Sequence, residues 1–181
     1  MTVFLRNLKL FTILALSLSM MVSCSSDDDS GDGDDNVNLE GVPTGEIVAR
    51  DMRNMTLTGF SMLSRNEGSQ KWWTHITSDF NYVNCGGEDQ DFSIEDLGYY
   101  AFYPDGTMHQ KSSIDGTPEY LQEWEWTDSS LTAIYVRGDT SVAFSVTYLN
   151  EDNAVYGANQ TVSGPCSIIS YEQLGDPHYE D

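Results

Sequence analysis

Three histidines, His75, His109 and His178, and 29 Asp and Glu side chains carry most of the acid–base chemistry open to this chain. Their spacing suits little of it. There is no His-x-His or His-Glu-x-x-His arrangement to hold zinc, so no metal or cofactor is expected. His75, near Asp79, and His109, at the end of a predicted strand, read as solvated side chains. Gly59-Phe60-Ser61 opens like a nucleophile elbow, but Leu63 stands where the closing glycine belongs. Carboxylates are so dense that no glycosidase pair stands out among them. No catalytic residue is assigned, and a hydrolase ranks third among the possible functions.

Aromatic residues point instead to binding. On one strand, Tyr120, Trp124 and Trp126 alternate with Glu123 and Glu125, which sends the three rings to one face. With Phe144 and Val146 closing from a neighbouring strand, they would line a barrel cavity holding a small apolar or glycan-derived ligand. The simpler reading is a packed core. Trp72 and Trp73 are adjacent and must point to opposite faces of a strand. One of them, beside Lys71, would then give an exposed surface for a sugar ring or a protein partner, unless a second layer covers it. That surface, Lys71-Trp72-Trp73, carries the runner-up reading: an interaction or accessory module.

Cys24 reads as an address. Arg6 and Lys9 precede an almost wholly apolar run, Leu10 to Val22, followed by small Ser23 and then Cys24. The run is shorter than the ~20 residues of a spanning helix and fits a secretory leader. Together these features resemble the lipobox of bacterial lipoproteins, with Met21 in place of the usual leucine. The resemblance implies cleavage after residue 23, lipidation of Cys24 and attachment to a membrane through two lipid signals. Ser25 to Asp35 then contains only Ser, Gly and Asp, a self-repelling tether that cannot form a core. Cys-Ser-Ser-Asp-Asp-Asp is similar to the signal that routes Bacteroidota lipoproteins to the outer face of the outer membrane. A periplasmic spacer is the alternative. Asp28, Ser30, Asp32 and Gly33 fit a calcium loop in part, but Leu39 falls where its glutamate should be. With Cys24 assigned to lipid, Cys85 and Cys166 remain as an even pair, for which a disulfide is expected in an exported protein.

The full chain holds 8 Lys and Arg against 29 Asp and Glu. Loss of Arg6 and Lys9 with residues 1–23 leaves a formal charge of −23. Such a surface repels nucleic acid and offers no basic patch for it. No protein partner is identified.

These residues must be positioned by strands. Residues 24–45 are predicted as tether, 46–174 as one β domain and 175–181 as a loose tail. Met55 to Leu63 is β-rich, with Gly59 as a bulge. Lys71 to Thr77 is a strand, and Cys85 to Asp96 an acidic loop. Gly98 to Lys111 is a hairpin turning at Pro104-Asp105-Gly106. Leu131 to Val136 and Val142 to Leu149 flank Arg137-Gly138-Asp139, an exposed hairpin tip. Ala154 to Tyr156 and Ile168 to Tyr171 follow, giving roughly eight strands and no long amphipathic helix.

The Cys85–Asp91 cluster, Tyr100-Ala101-Phe102-Tyr103-Pro104-Asp105-Gly106-Thr107 and Glu123-Trp124-Glu125-Trp126 resemble the lipocalin-like domains of Bacteroidota lipoproteins. Phe144 to Asn150 and Cys166 extend the likeness over most of residues 46–174. It implies an antiparallel up-and-down barrel with an interior site.

Overall fold

The computed structural model describes residues 39–62, 68–87 and 89–180. The leader, Cys24 and the acidic run lie outside them. One short helix, α1 (Arg50–Thr58), precedes nine strands: β1 (Gln70–Val83), β2 (Gln90–Glu95), β3 (Tyr99–Phe102), β4 (Thr107–Lys111), β5 (Glu119–Trp126), β6 (Ala133–Val136), β7 (Asp139–Leu149), β8 (Asn153–Ser163) and β9 (Cys166–Glu180).

Strands β3 to β9 pair antiparallel in chain order, and β1 joins β3 to β9. This closes an eight-stranded up-and-down barrel, the expected fold. β2 lies outside the closed ring, on the far half of β1 from Thr77 to Tyr82. The barrel interior is filled by Trp73, Phe102, Met108, Trp124, Ile134, Leu149, Tyr156 and Leu174. Phe102 makes edge-to-face contacts with Trp124 at 5.2 Å and Tyr156 at 6.0 Å, a favoured geometry for aromatic pairs.

The stretch expected as a strand from Met55 is instead the end of α1. Gly59 takes φ 86° and its N–H bonds the carbonyl of Met55, the left-handed cap that terminates helices. Thr56 and Thr58 gave the segment its β character, but burial of Leu57 against the core outweighs that propensity. Arg53 tethers the helix, donating to the carbonyls of Val48 and Ser130.

Three boundaries also move. Val42 is buried and the Gly45 N–H bonds the Thr147 carbonyl, so packing begins inside the expected tether. Gln90–Glu95 is a strand rather than loop, because Phe92 and Ile94 alternate with its acids. The expected loose tail belongs to β9, where His178, Tyr179 and Glu180 pair with Trp72, Lys71 and Gln70. Gly175 and Pro177 look like breakers but fall at a register shift that the ladder absorbs.

Cys85 and Cys166 form a disulfide with Cα atoms 4.3 Å apart, at the far end of the β1–β9 seam. A loop spanning 81 residues of sequence separation corresponds to about 4 to 5 kcal/mol of unfolded-state restriction. Reducing the purified domain should therefore lower its unfolding midpoint in denaturant by that equivalent. Thiol titration of the native protein should find neither Cys85 nor Cys166 free. An unchanged midpoint after complete reduction would refute a stabilising role.

Candidate functional site

Above the level where Thr74 meets Tyr99 and Ser145 meets Gly157, β3 and β7 stop pairing with their outer neighbours. Strands β2, β1, β9 and β8 continue as an extension past the closed ring. The alternation fixes its inner face. Ser78 is opposite Glu172, Phe80 opposite Ser170 and Phe92, and Tyr82 opposite Ile168. Ile94, Phe92 and Ile168 thus share a face with Phe80 and Tyr82. The Phe80 and Phe92 rings lie 6.2 Å apart, and Phe92 is 55 % exposed.

At the base of this apolar face sits a polar cluster. His75 is only 1 % exposed, so the expectation of a solvated histidine beside Asp79 is overturned. Asp79 lies on the opposite face, accepting from the Thr77 hydroxyl. His75 Nε2 is 2.9 Å from Ser78 Oγ and 3.3 Å from Glu172 Oε2, and Ser78 Oγ donates to Glu172 Oε2 at 2.5 Å. Tyr100 leans over the imidazole at 5.1 Å. Burial, reinforced by the negative charge of Glu172, pushes the Tyr100 and Tyr156 hydroxyls above the ordinary phenol range.

Serine, histidine and glutamate together suggest a nucleophilic triad, but the bonding runs the wrong way. A triad needs Nε2 to accept the serine proton while Nδ1 donates to the acid. Here the Leu97 N–H donates to Nδ1 at 3.2 Å, which places the ring proton on Nε2. Ser78 donates its hydrogen bond directly to the Glu172 carboxylate instead. The cluster orients a carboxylate; it does not activate a hydroxyl. Among the described residues no group of three His, Cys, Asp or Glu side chains could hold a metal ion.

Trp124, Trp126, Phe144 and Val146 all lie in or against the core. Trp124 and Trp126 meet at 5.9 Å, and Phe144 meets Tyr156 at 6.2 Å. Tyr120 is not with them. The β4–β5 register jumps from Met108–Gln122 to His109–Tyr120, so Leu121 takes the extra position and packs inward. This bulge turns Tyr120 outward, where it is 59 % exposed against His109.

The predicted Lys71-Trp72-Trp73 surface does not exist, since all three side chains are fully buried. Trp73 donates its indole N–H to the Leu57 carbonyl inside the barrel. Trp72 lies on the outer side, beneath Tyr103 and with Lys111 Nζ 4.2 Å above its ring. Lys111 pairs with Glu180, so the strand that replaces the loose tail also supplies part of this cover. Lys71 Nζ donates to the carbonyls of Thr56, at the negative end of α1, and Glu151, and lies 3.8 Å from the Trp73 ring centre.

No sequence signal could have found the His75–Ser78–Glu172 cluster. Ser78 and Glu172 are 94 residues apart and meet only through the β1–β9 register. The chain matches no family model, no curated protein and no solved structure.

Lys71 provides a pH test of the buried architecture. Burial lowers its pKa from 10.5 to about 8. Between those values the unfolded chain holds a proton that the folded chain has released, so this residue makes stability rise with pH across the window. Above the ordinary tyrosine range near ~10 the sign reverses, because unfolded tyrosines ionise before Tyr100, Tyr156 and Tyr171, the last held up at about 12. Lys71→Met should abolish the rise between pH 8 and 10 and cost roughly 1–3 kcal/mol at pH 7 through the orphaned carbonyls. Denaturant melts across the pH series measure both.

Proposed function

We propose that this chain is a lipid-anchored, surface-displayed, non-enzymatic binding domain of lipocalin-like type. Its ligand is a small molecule with an apolar body and an amine or hydroxyl head. One observation carries this reading: the Glu172 carboxylate, oriented by Ser78 and His75, lies at the base of a partly exposed apolar face. The apolar body would rest on Phe80, Tyr82, Phe92, Ile94 and Ile168, and the head would donate to Glu172. Such a combination of apolar wall and few convergent polar groups is the usual composition of ligand sites. The extension of the barrel supports this place over the closed ring, where Phe144 and Val146 pack in or against the core. The membrane partner is reached through Cys24.

An environment-sensitive naphthyl fluorophore carrying a primary amine should bind saturably to the oxidised domain. Its N-acetylated form should bind more weakly. Glu172→Gln should weaken the amine roughly tenfold, as expected for loss of a charged hydrogen-bond partner. Phe92→Ala should weaken both probes with little change in melting temperature, since Phe92 is largely exposed. Saturable binding indifferent to both substitutions would rule out this site. For the anchor, Cys24→Ala should move the protein from the membrane fraction to the soluble one, and continued attachment would refute lipidation.

A second reading, interaction through an exposed aromatic patch, is favoured by a different place from that expected. Tyr103, His109 and Tyr120 form a contiguous array on the outer face, with centroids 4.4 and 6.1 Å apart. Tyr120→Ala would selectively impair an interaction made there and leave the naphthyl probe unaffected.

A further inference from the structure

A second recess lies near α1, away from the polar cluster on the extension. It is an open cleft of about 250 Å³, lined by Asn54, Ser61, Met62, Asp105, Trp124, Glu125 and Trp126 together with the Pro104–Gly106 turn. Its geometry is set by the sequence around it. Period-two alternation puts Trp124 and Trp126 on one side of β5, and they meet edge to face at 77°. Pro104-Asp105-Gly106 turns the β3–β4 hairpin beside them.

The two indole N–H groups are already spent. Trp124 donates to the Tyr103 carbonyl at 3.1 Å and Trp126 to Asn54 Oδ1 at 3.0 Å. The rings therefore offer the cleft carbon and π-surface, with no indole donor for an anion or a sugar oxygen. Asp105 brings a carboxylate to the cleft, and among the described residues no Lys, Arg or His lines it; alternation turns the Glu125 side chain to the opposite face of β5. Hydrogen bonds from the Thr107 hydroxyl and N–H hold the Asp105 carboxyl below the usual range, and both fall on Oδ1. Met62 adds a polarisable apolar contact.

We propose that this cleft binds a small organic cation, an N-methylated ammonium, between the Trp126 indole and the Asp105 carboxylate. Aromatic walls meeting near a right angle, with the Asp105 carboxylate alongside, match such a group in both shape and charge. Its methyl groups pack on the ring while its charge is drawn to the π-face and to Asp105. An inorganic cation would be held by oxygen ligands and gain little from tryptophan. The site does not depend on the ligand proposed for the extension, and a failure of either leaves the other standing.

The probe is tetramethylammonium, followed by tryptophan fluorescence and calorimetry on the full oxidised domain at constant ionic strength. The alcohol 3,3-dimethyl-1-butanol, whose tert-butyl group is the uncharged isostere of a trimethylammonium group, and plain ammonium serve as controls, the first lacking the charge and the second the methyl groups. Tetramethylammonium should bind saturably and at least roughly tenfold more tightly than either control, the scale of a desolvated cation–π contact. Trp126→Phe, which keeps a ring of weaker π-character, and Asp105→Asn should each weaken it several-fold without lowering the melting temperature to match. Trp126→Ala should remove binding, with the Trp126→Phe variant guarding against loss of fold. Phosphatidylcholine vesicles form a second arm: capture of the domain on them extends the site to headgroups, and binding in solution alone restricts it to free solutes. The proposal is overturned if tetramethylammonium fails to saturate, if the isostere binds equally well, or if Trp126→Phe and Asp105→Asn leave the affinity unchanged.

Discussion

The seam between β1 and β9 is the constraint on which the remaining structure depends. It pairs Gln70 with Glu180 at one end and Val83 with Ser167 at the other, so it joins segments separated by most of the domain. Closing so long a loop is entropically unfavourable and must be offset by burial. Two features supply this offset along the seam. At one end Lys71, Trp73 and the last turn of α1 pack together in the closed ring. At the other, the Cys85–Cys166 bond holds the strands where few buried side chains do so.

Because the seam is longer than its neighbours, it creates both the ring and the extension. β3 reaches only Trp73 and Thr74 of β1, which leaves Thr77 to Tyr82 free to pair with β2. The polar cluster sits where the closed ring gives way to the extension, and this explains its mixed character. His75 has the burial of the ring, while Glu172 is only partly covered. The same seam therefore buries a histidine and presents a carboxylate within one turn of the pleat.

Much of the fold was legible in the sequence. Alternation marked Val142 to Leu149, Pro104-Asp105-Gly106 marked its hairpin, and Cys85 with Cys166 marked the bond. The features that escaped share a physical cause: each breaks local periodicity for a tertiary reason. The extra residue at Leu121 inverts the face of Tyr120, and nothing in Glu119 to Gln122 announces it. The irregularity around Asp176 and Pro177 hides a continuing strand behind breaker residues. α1 carries threonines that favour strand, and its helicity rests on the Gly59 cap and on Leu57 finding the core. The candidate site was less legible than the fold. The alternation of Trp124 and Trp126 was readable, but the pairing of Ser78 with Glu172 required a register that only the closed barrel defines.

β2 ends the strand order and, among the described residues, has no partner on its outer side. An open edge of this kind is a template on which a second copy could add a strand. Here that edge carries Asp91 and Glu95 around Phe92. Two such edges brought together would set carboxylates against carboxylates at short spacing, in a chain already strongly negative. Acid placement on β2 thus opposes edge-to-edge pairing of two copies while Phe92 stays exposed.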